Sequence, residues 1–148
     1  MTVVVGIDNP EDSIPLVEEG EELAERFETD VTVIHVLSRS EFVDLQRTSI
    51  SETAEAVDVD KVRSVAADIA REAAEGTLTD FEAVGLVGDA ANELVRWGEE
   101  HGVLYIVIGV QSRSPIGKAV FGSVAQDVLL RSDSPVVAVP RTRSGGNR

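Results

Sequence analysis

The stretch VLYIVIG, residues 103–109, decides the fold class of this chain. It is apolar or aromatic up to its final glycine, and apolar and polar residues do not alternate in it. A strand of this composition is buried on both faces, as in a parallel sheet that lies between two layers of helices. The stretch therefore predicts an α/β protein.

Similar runs recur on both sides of this stretch. They are TVVVGI (2–7), VTVIHVL (31–37) and PVVAV (135–139). The run FEAVGLV (81–87) alternates more, which predicts an edge strand. Together with helical segments between them, the runs predict a single doubly wound open sheet of five parallel strands with helices on both faces.

The segments between the strands have the period of amphipathic helices. We predict helices over residues 12–28, from Asp58 or Asp60 onward, from Asp89 to His101, and from Ser123 onward. Asp12 or Ser13 is the expected cap of the first helix, and Gly102 the expected end of the third. The predicted inward-facing residues are Leu16, Gly20, Leu23, Phe27, Val62, Val65, Ile69, Ala73, Ala91, Leu94, Val95, Val124, Val128 and Leu129.

Two segments fall outside this pattern. Residues 38–60 are polar, with no clear period, and we expect a lid or a mobile segment there. Residues 141–148, RTRSGGNR, follow Pro140 and are expected to be a disordered tail. The expected organisation is one α/β domain over residues 1–140 followed by that tail.

Composition excludes several classes of function. The chain has 27 acidic and 13 basic residues, a formal charge of -14, which disfavours binding to nucleic acid or to an anionic membrane. It has no Cys, so disulfides and thiolate metal sites are excluded. The amino terminus lacks the pattern of a signal peptide, and we expect a cytoplasmic protein. The acid excess and the scarcity of Lys indicate a halophilic protein, solvated for a high-salt cytoplasm.

The loop after the fourth predicted strand is the candidate functional segment. IGVQSRSPIGKAVFGS, residues 108–123, approaches the phosphate-binding pattern G-x-x-x-x-G-K-[ST]. That pattern requires Gly and Ser or Thr where this chain has Ser112 and Ala119. It also usually follows the first strand of its domain, so we reject this interpretation.

A second interpretation fits better. Gly109 ends the strand, and Gly122 and Ser123 open the last helix, where free N–H groups and the helix dipole favour an anion. No Asp or Glu occurs from residue 101 to 126, whereas Arg113 and Lys118 do. This loop therefore predicts an anion site, although the two bases are also compatible with ordinary solvated charges.

The chain resembles the universal stress protein family over nearly its whole length. The resemblance is carried by VVVGID, VTVIHV, GDAANELVRWGEEHGVLYIVIG and FGSVAQDVLLRSDSPVVAVP. It implies the strand order 3-2-1-4-5 and the motif G-x2-G-x9-G-[ST] of nucleotide-binding members. In this chain Ser112 replaces the second glycine of that motif. The resemblance also implies that Asp8 lies near the ribose and that the backbone of Val36 contacts adenine.

The predicted ligand is therefore ATP or AMP, with Mg²⁺ accompanying ATP as an option. The predicted binding residues are Asp8, Val36, Gly109, Ser112, Arg113, Gly122, Ser123 and Val124. Two alternatives stay open here. Asp8 is equally compatible with a cap of the turn after the first strand. Ser112 either weakens nucleotide binding or marks a relative that uses the fold without nucleotide.

Three functions follow from these patterns. The first is a stress-response module that binds adenine nucleotide and regulates an unidentified protein partner. The second is a ligand-free interaction protein of the same fold. The third, a phospho-acceptor receiver domain, is disfavoured because VGLVGD and AVPRTR do not supply its later Asp and its Lys well.

We expect no catalytic residues and at most a slow ATPase, because no general base or catalytic triad is evident. No metal site is expected, since no two His have ligand spacing. His35 is expected to be a hydrogen-bonded residue of the core or crevice, and His101 to support a helix end. The last strand, within residues 135–140, is expected to pair with its own copy in a homodimer.

Overall fold

The computed structural model of the protein describes residues 1–53, 58–110 and 122–140. Within these ranges, none of the helices has the length and apolarity needed to cross a membrane. The expected disordered tail, residues 141–148, lies outside the described part of the chain and stays a prediction.

The protein is built on one sheet of five strands in the order β3-β2-β1-β4-β5. Every neighbouring pair is parallel. This confirms the predicted fold class and the strand order that the resemblance implies. The strands are β1 (Thr2–Ile7), β2 (Asp30–Leu37), β3 (Glu82–Val87), β4 (Val103–Val110) and β5 (Val136–Pro140).

Burial follows the position of each strand in the sheet. Every residue of β1 is buried, because this central strand has a neighbour on each side and helices on both faces. β3 and β5 lie at the two edges and contain no fully buried residue. The alternation in FEAVGLV therefore identified an edge strand correctly.

Helices cover both faces of the sheet, as predicted. They are α1 (Ile14–Arg26), α2 (Arg39–Thr53), α3 (Val59–Ala74), α4 (Ala90–His101) and α5 (Ser123–Arg131). Val3 and Val5 pack against α1 and α3, whereas Val4 packs against α4 and α5. The alternation of side chains along β1 thus supplies both layers of the core.

The ends of α3 and α4 confirm the predicted caps. The carboxylate of Asp58 accepts from the N–H of Lys61 at 2.9 Å. Asp89 accepts from the N–H of Asn92 at 3.0 Å. Gly102 ends α4 with a φ of 68°, in the left-handed region that favours glycine.

The amino end of α1 differs from the prediction. A short 3₁₀ turn, Pro10–Asp12, precedes the helix, and Ser13 stands at the cap position without capping a helix N–H through its side chain. The Ser13 hydroxyl instead donates to the carbonyl oxygen of Pro10 at 2.7 Å, and it lies 3.3 Å from that of Ala73. Ser13 therefore does not act as the predicted side-chain cap, and Asp12 belongs to the 3₁₀ turn before the helix.

Some predicted inward-facing residues are substantially exposed. They are Phe27 (51%), Val65 (40%), Val124 (39%) and Leu129 (41%). On α3 the reason is close packing, since a Cβ on Gly85 of β3 would lie 2.0 Å from the carbonyl oxygen of Arg63. An approach this close requires small residues, and Ala66 and Ala70 are fully buried. Val65 is displaced to the side of the contact.

The expectation of an irregular segment over residues 38–60 is wrong for most of its length. Helix α2 occupies Arg39–Thr53. Of its described side chains, Phe42 packs against Leu37, Val62 and Ala66, whereas Val43 is 47% exposed. The apolar residues of α2 have only a weak helical period in the sequence, which is why no helix was predicted there. The expectation of a lid stays a prediction.

Candidate functional site

The candidate site lies where the order of the strands reverses. β1 pairs with β2 on one side and with β4 on the other. In open α/β sheets, ligands bind in the crevice beyond the carboxyl ends of the strands at such a point. Asp8 follows β1 directly and Gly109 lies at the end of β4, so both stand at this crevice.

A cavity of about 200 Å³ occupies the crevice. The predicted binding residues that line it are Asp8, Val36, Gly109, Gly122, Ser123 and Val124. The fold thus brings residues from β1, β2, β4 and α5 to one place. Ser112, Arg113 and Lys118 lie outside the described residues, so their predicted roles stay predictions.

The inner wall of the cavity is apolar and was not predicted from the sequence. It includes Ile34, Leu94 and Ile108. Gly6 opens this space, because a Cβ there would lie only 3.1 Å from Cδ1 of Leu94. A glycine inside the buried run TVVVGI was the available signal, since glycine in a strand marks a close approach.

The amino end of α5 forms another wall. Gly122 precedes the helix with extended backbone, φ -71° and ψ 166°, and no side chain of the described residues caps it. The intrahelical ladder begins with the N–H of Gln126, which donates to the carbonyl oxygen of Gly122 at 3.0 Å. The N–H groups of Ser123 and Val124 precede that bond and have no intrahelical acceptor. An anion in the cavity would accept from them.

Few side chains in the described cavity wall are polar. Asp8 is the charged one, and it is exposed. Ser123 adds a hydroxyl. Across the described ranges, no cluster of three or more His, Asp and Glu is placed to hold a metal ion. The described wall therefore offers backbone N–H groups, one carboxylate and apolar surface.

Both histidines have structural partners. His35 is 6% exposed, and its Nδ1 lies 2.8 Å from the carbonyl oxygen of Ile7. Because a carbonyl oxygen only accepts, this nitrogen carries the proton. Nδ1 of His101 lies 2.9 Å from the carbonyl oxygen of Trp97, and the two rings stack at 3.9 Å. The predictions of a hydrogen-bonded core residue and of a residue that supports a helix end are confirmed.

Comparisons with known proteins agree with this architecture. Residues 1–140 match the Universal stress protein family. A universal stress protein of Mycolicibacterium smegmatis is 32% identical over 138 residues, which cover 93% of this chain and 95% of that protein.

Solved structures from Archaeoglobus fulgidus are also similar. One universal stress protein is 30% identical, with a TM-score of 0.62 and coverage of 93% of this chain and 97% of the other. Another, solved in complex with dAMP, is 25% identical, with a TM-score of 0.58 and coverage of 93% and 96%.

Proposed function

Because this chain belongs to the universal stress protein family, we propose that it is a stress-response regulatory protein that binds AMP or ATP in the crevice between β1 and β4. The observation that carries the proposal is the amino end of α5, which no described side chain caps and which borders a cavity that Asp8 also lines. The similar structure that holds dAMP supports an adenine nucleotide as the ligand.

The phosphates are assigned to the α5 side of the crevice. The N–H groups of Ser123 and Val124 donate to them, and the positive end of the helix dipole adds to the attraction. Gly109 and Gly122 have no Cβ, so the backbone approaches the phosphates closely. Arg113 supplies the cation that the described wall lacks.

The nucleoside is assigned to the β1 and β2 side. The carboxylate of Asp8 accepts hydrogen bonds from the sugar hydroxyls. The base packs on the apolar inner wall, and the backbone of Val36 contacts its edge. Mg²⁺ accompanies ATP through the phosphates, because one exposed carboxylate is too small a ligand set to hold the ion by itself.

Regulation by occupancy, with little or no turnover, is the activity that we infer. Hydrolysis requires a positioned base or water-orienting residue near the γ-phosphate. In the described wall, Asp8 is the charged group, and it is assigned to the sugar. We expect ATP turnover slower than about one per second, which a phosphate-release assay measures directly.

A homodimer through β5 is the second part of the proposal. β5 is an edge strand, and an unpaired apolar edge promotes aggregation unless it is covered. On the preceding helix, Leu129 is 41% and Leu130 is 75% exposed. Pairing with a second copy about a two-fold axis covers the edge of β5. Light scattering that reports a monomeric mass in high salt contradicts it.

A ligand-free interaction protein is the second candidate function. The observation that favours it is Ser112, because a side chain in the phosphate loop, and any left-handed backbone there, opposes nucleotide binding. In this case the protein partner recognises the fold itself.

Two measurements separate the two candidate functions. The first is mass spectrometry of small molecules released by acid from the purified protein, and the second is calorimetric titration with AMP and ATP. Nucleotide recovery or binding selects the first candidate. A protein free of nucleotide that also ignores millimolar AMP and ATP selects the second. In that case Ser112→Gly shows whether the one side chain is responsible. Gly6→Val, which fills the cavity, is the negative control, with thermal unfolding to confirm that it folds.

The acidic composition supports a cytoplasmic role at high salt. At the formal charge of -14, repulsion between carboxylates opposes folding until salt screens it. We expect the unfolding temperature to rise as KCl is added up to molar concentration. A maximum at low salt contradicts this adaptation.

A further inference from the structure

One hydrogen bond joins the side chains of α4 and α5. Nη1 of Arg131, the last residue of α5, donates to Oδ1 of Asn92 in the first turn of α4. The two residues are 39 positions apart in the chain. Among the described residues, no second side-chain hydrogen bond connects these two helices.

The α4 side of this bond lies two residues from the wall of the cavity. Ala90 lies in the same turn as Asn92 and lines the cavity. The N–H of Asn92 is held by the carboxylate of Asp89 at 3.0 Å. Asn92 therefore lies in a capped turn of α4 that also contributes Ala90 to the cavity wall.

The α5 side of the bond is the end of a short helix. α5 has nine residues, of which Ala125 and Val128 are buried. Leu130, near its end, is 75% exposed. Among the described residues, the buried side chains of α5 lie near its middle, and a polar contact at its end adds a restraint on the direction of its axis.

The direction of α5 determines where its first N–H groups lie. Hydrogen bonds weaken steeply when the donor angle departs from linearity, and a binding constellation tolerates errors of only about 0.5 Å. A rotation of α5 about its buried middle moves Ser123 and Arg131 in opposite directions. Loss of the contact at Arg131 therefore misplaces the N–H groups at the other end.

We propose that Asn92 and Arg131 are positioning residues of the nucleotide site, which hold α5 so that its amino end meets the phosphate. This inference rests on the proposed function, because it requires a phosphate at that end. Neither residue lines the cavity. They act through the helix, and their effect falls on the phosphate and not on the nucleoside.

The test is a double-mutant cycle with Asn92→Ala and Arg131→Met, read by calorimetric titration with AMP and with adenosine. Each single variant should weaken AMP binding about threefold to tenfold, the range of one well-placed hydrogen bond. The double variant should be no weaker than either single one. Adenosine affinity should stay within about twofold of wild type, because adenosine has no phosphate. Arg131→Lys keeps one donor and should recover part of the loss.

Arg71→Met is the matched control. Arg71 is also an exposed helical arginine whose side chain contacts a polar partner, Asp68 at 2.8 Å, but it lies on α3. It should leave AMP affinity unchanged. Equal losses in this control and in Arg131→Met would overturn the proposal, because general charge would then explain both.

Hydrogen exchange separates this inference from the proposed function. If wild type binds AMP and the variants bind it equally well, the positioning role is wrong and the proposed function stands. If wild type binds neither AMP nor ATP, the proposed function fails. In that case only the claim that the contact fixes α5 remains, and it is decided by exchange of the amides of residues 126–131, because the amides of residues 123–125 make no intrahelical bond. Faster exchange in both variants supports it, and unchanged exchange overturns it.

Discussion

Helices α4 and α5 pack on the same face of the sheet and border the same cavity, but their ends are built differently. In α4, the side chain of Asp89 caps the first turn, and Gly102 ends the helix in the left-handed conformation. α5 begins after Gly122, where no side chain in the described part of the chain caps it, and ends at Ser132 in extended conformation.

The difference separates a structural helix end from one available to a ligand. The first N–H groups of any helix need an acceptor, and in α4 the chain itself supplies it. At α5 no side chain of the described residues supplies it. Because Ser123 is exposed, the first N–H groups of α5 are placed to meet an anion. The following predictions test this contrast, from the largest expected effect to the smallest.

Gly122→Asp should convert α5 into a helix like α4. The new carboxylate accepts from the first turn and repels phosphate, so AMP and ATP affinity should fall by about tenfold to a hundredfold, or about 1.4 to 2.7 kcal/mol. Calorimetric titration measures the loss. Gly122→Ala, which adds a Cβ without an acceptor, should lose less, and equal losses in both variants would attribute the effect to crowding.

Gly102→Ala tests the closed end of α4. The φ of 68° is unfavourable for alanine, and no atom lies within 4 Å of the added Cβ, so the cost is one of backbone conformation alone. The free energy of unfolding should fall by about 1 to 2 kcal/mol. Urea denaturation measures it. Nucleotide affinity should not change, and a change would show that the far end of α4 contributes to the site.

Asp89→Ala removes the side-chain cap of α4, which has no counterpart among the described residues at α5. The loss of its hydrogen bond to the N–H of Asn92 should cost about 1 kcal/mol of stability, again measured by urea denaturation. AMP affinity should stay within about twofold, or rise slightly as a nearby negative charge is removed. A large loss of affinity would mean that both helix ends serve the ligand.

Glu28→Gly extends the contrast to α1. Glu28 has a φ of 51°, and the N–H of Thr29 donates to the carbonyl oxygen of Ala24 at 2.9 Å. The carboxyl end of α1 thus has the geometry that normally selects glycine. Relief of strain, partly offset by the greater freedom of glycine in the unfolded chain, should stabilise the protein by about 0.5 kcal/mol. A lower unfolding temperature contradicts this.

Much of the fold could be predicted because its signals are local. The continuous apolar runs identified the strands, since only strands buried on both faces lack alternation. Asp58, Asp89 and Gly102 marked helix ends through bonds made within a few residues. Helix α2 was not predicted because the apolar residues in its sequence show no clear helical period.

The candidate site was predictable only in part. Gly109, Gly122 and Ser123 followed from glycine and charge patterns in one loop, and Asp8 and Val36 came from the resemblance. The apolar inner wall was missed, because Ile34, Leu94 and Ile108 look like ordinary core residues in the sequence. Their role depends on the space left by Gly6, which no local pattern measures.

The sequence by itself determined the class of fold, the strands and the closed ends of α3 and α4, because these depend on contacts between residues close in the chain. Tertiary structure alone decided which apolar residues face a cavity, how α3 approaches β3 through small residues, and that Arg131 reaches Asn92. Each of these depends on the distance between elements far apart in the chain. That distance is set by how the side chains of several elements pack together.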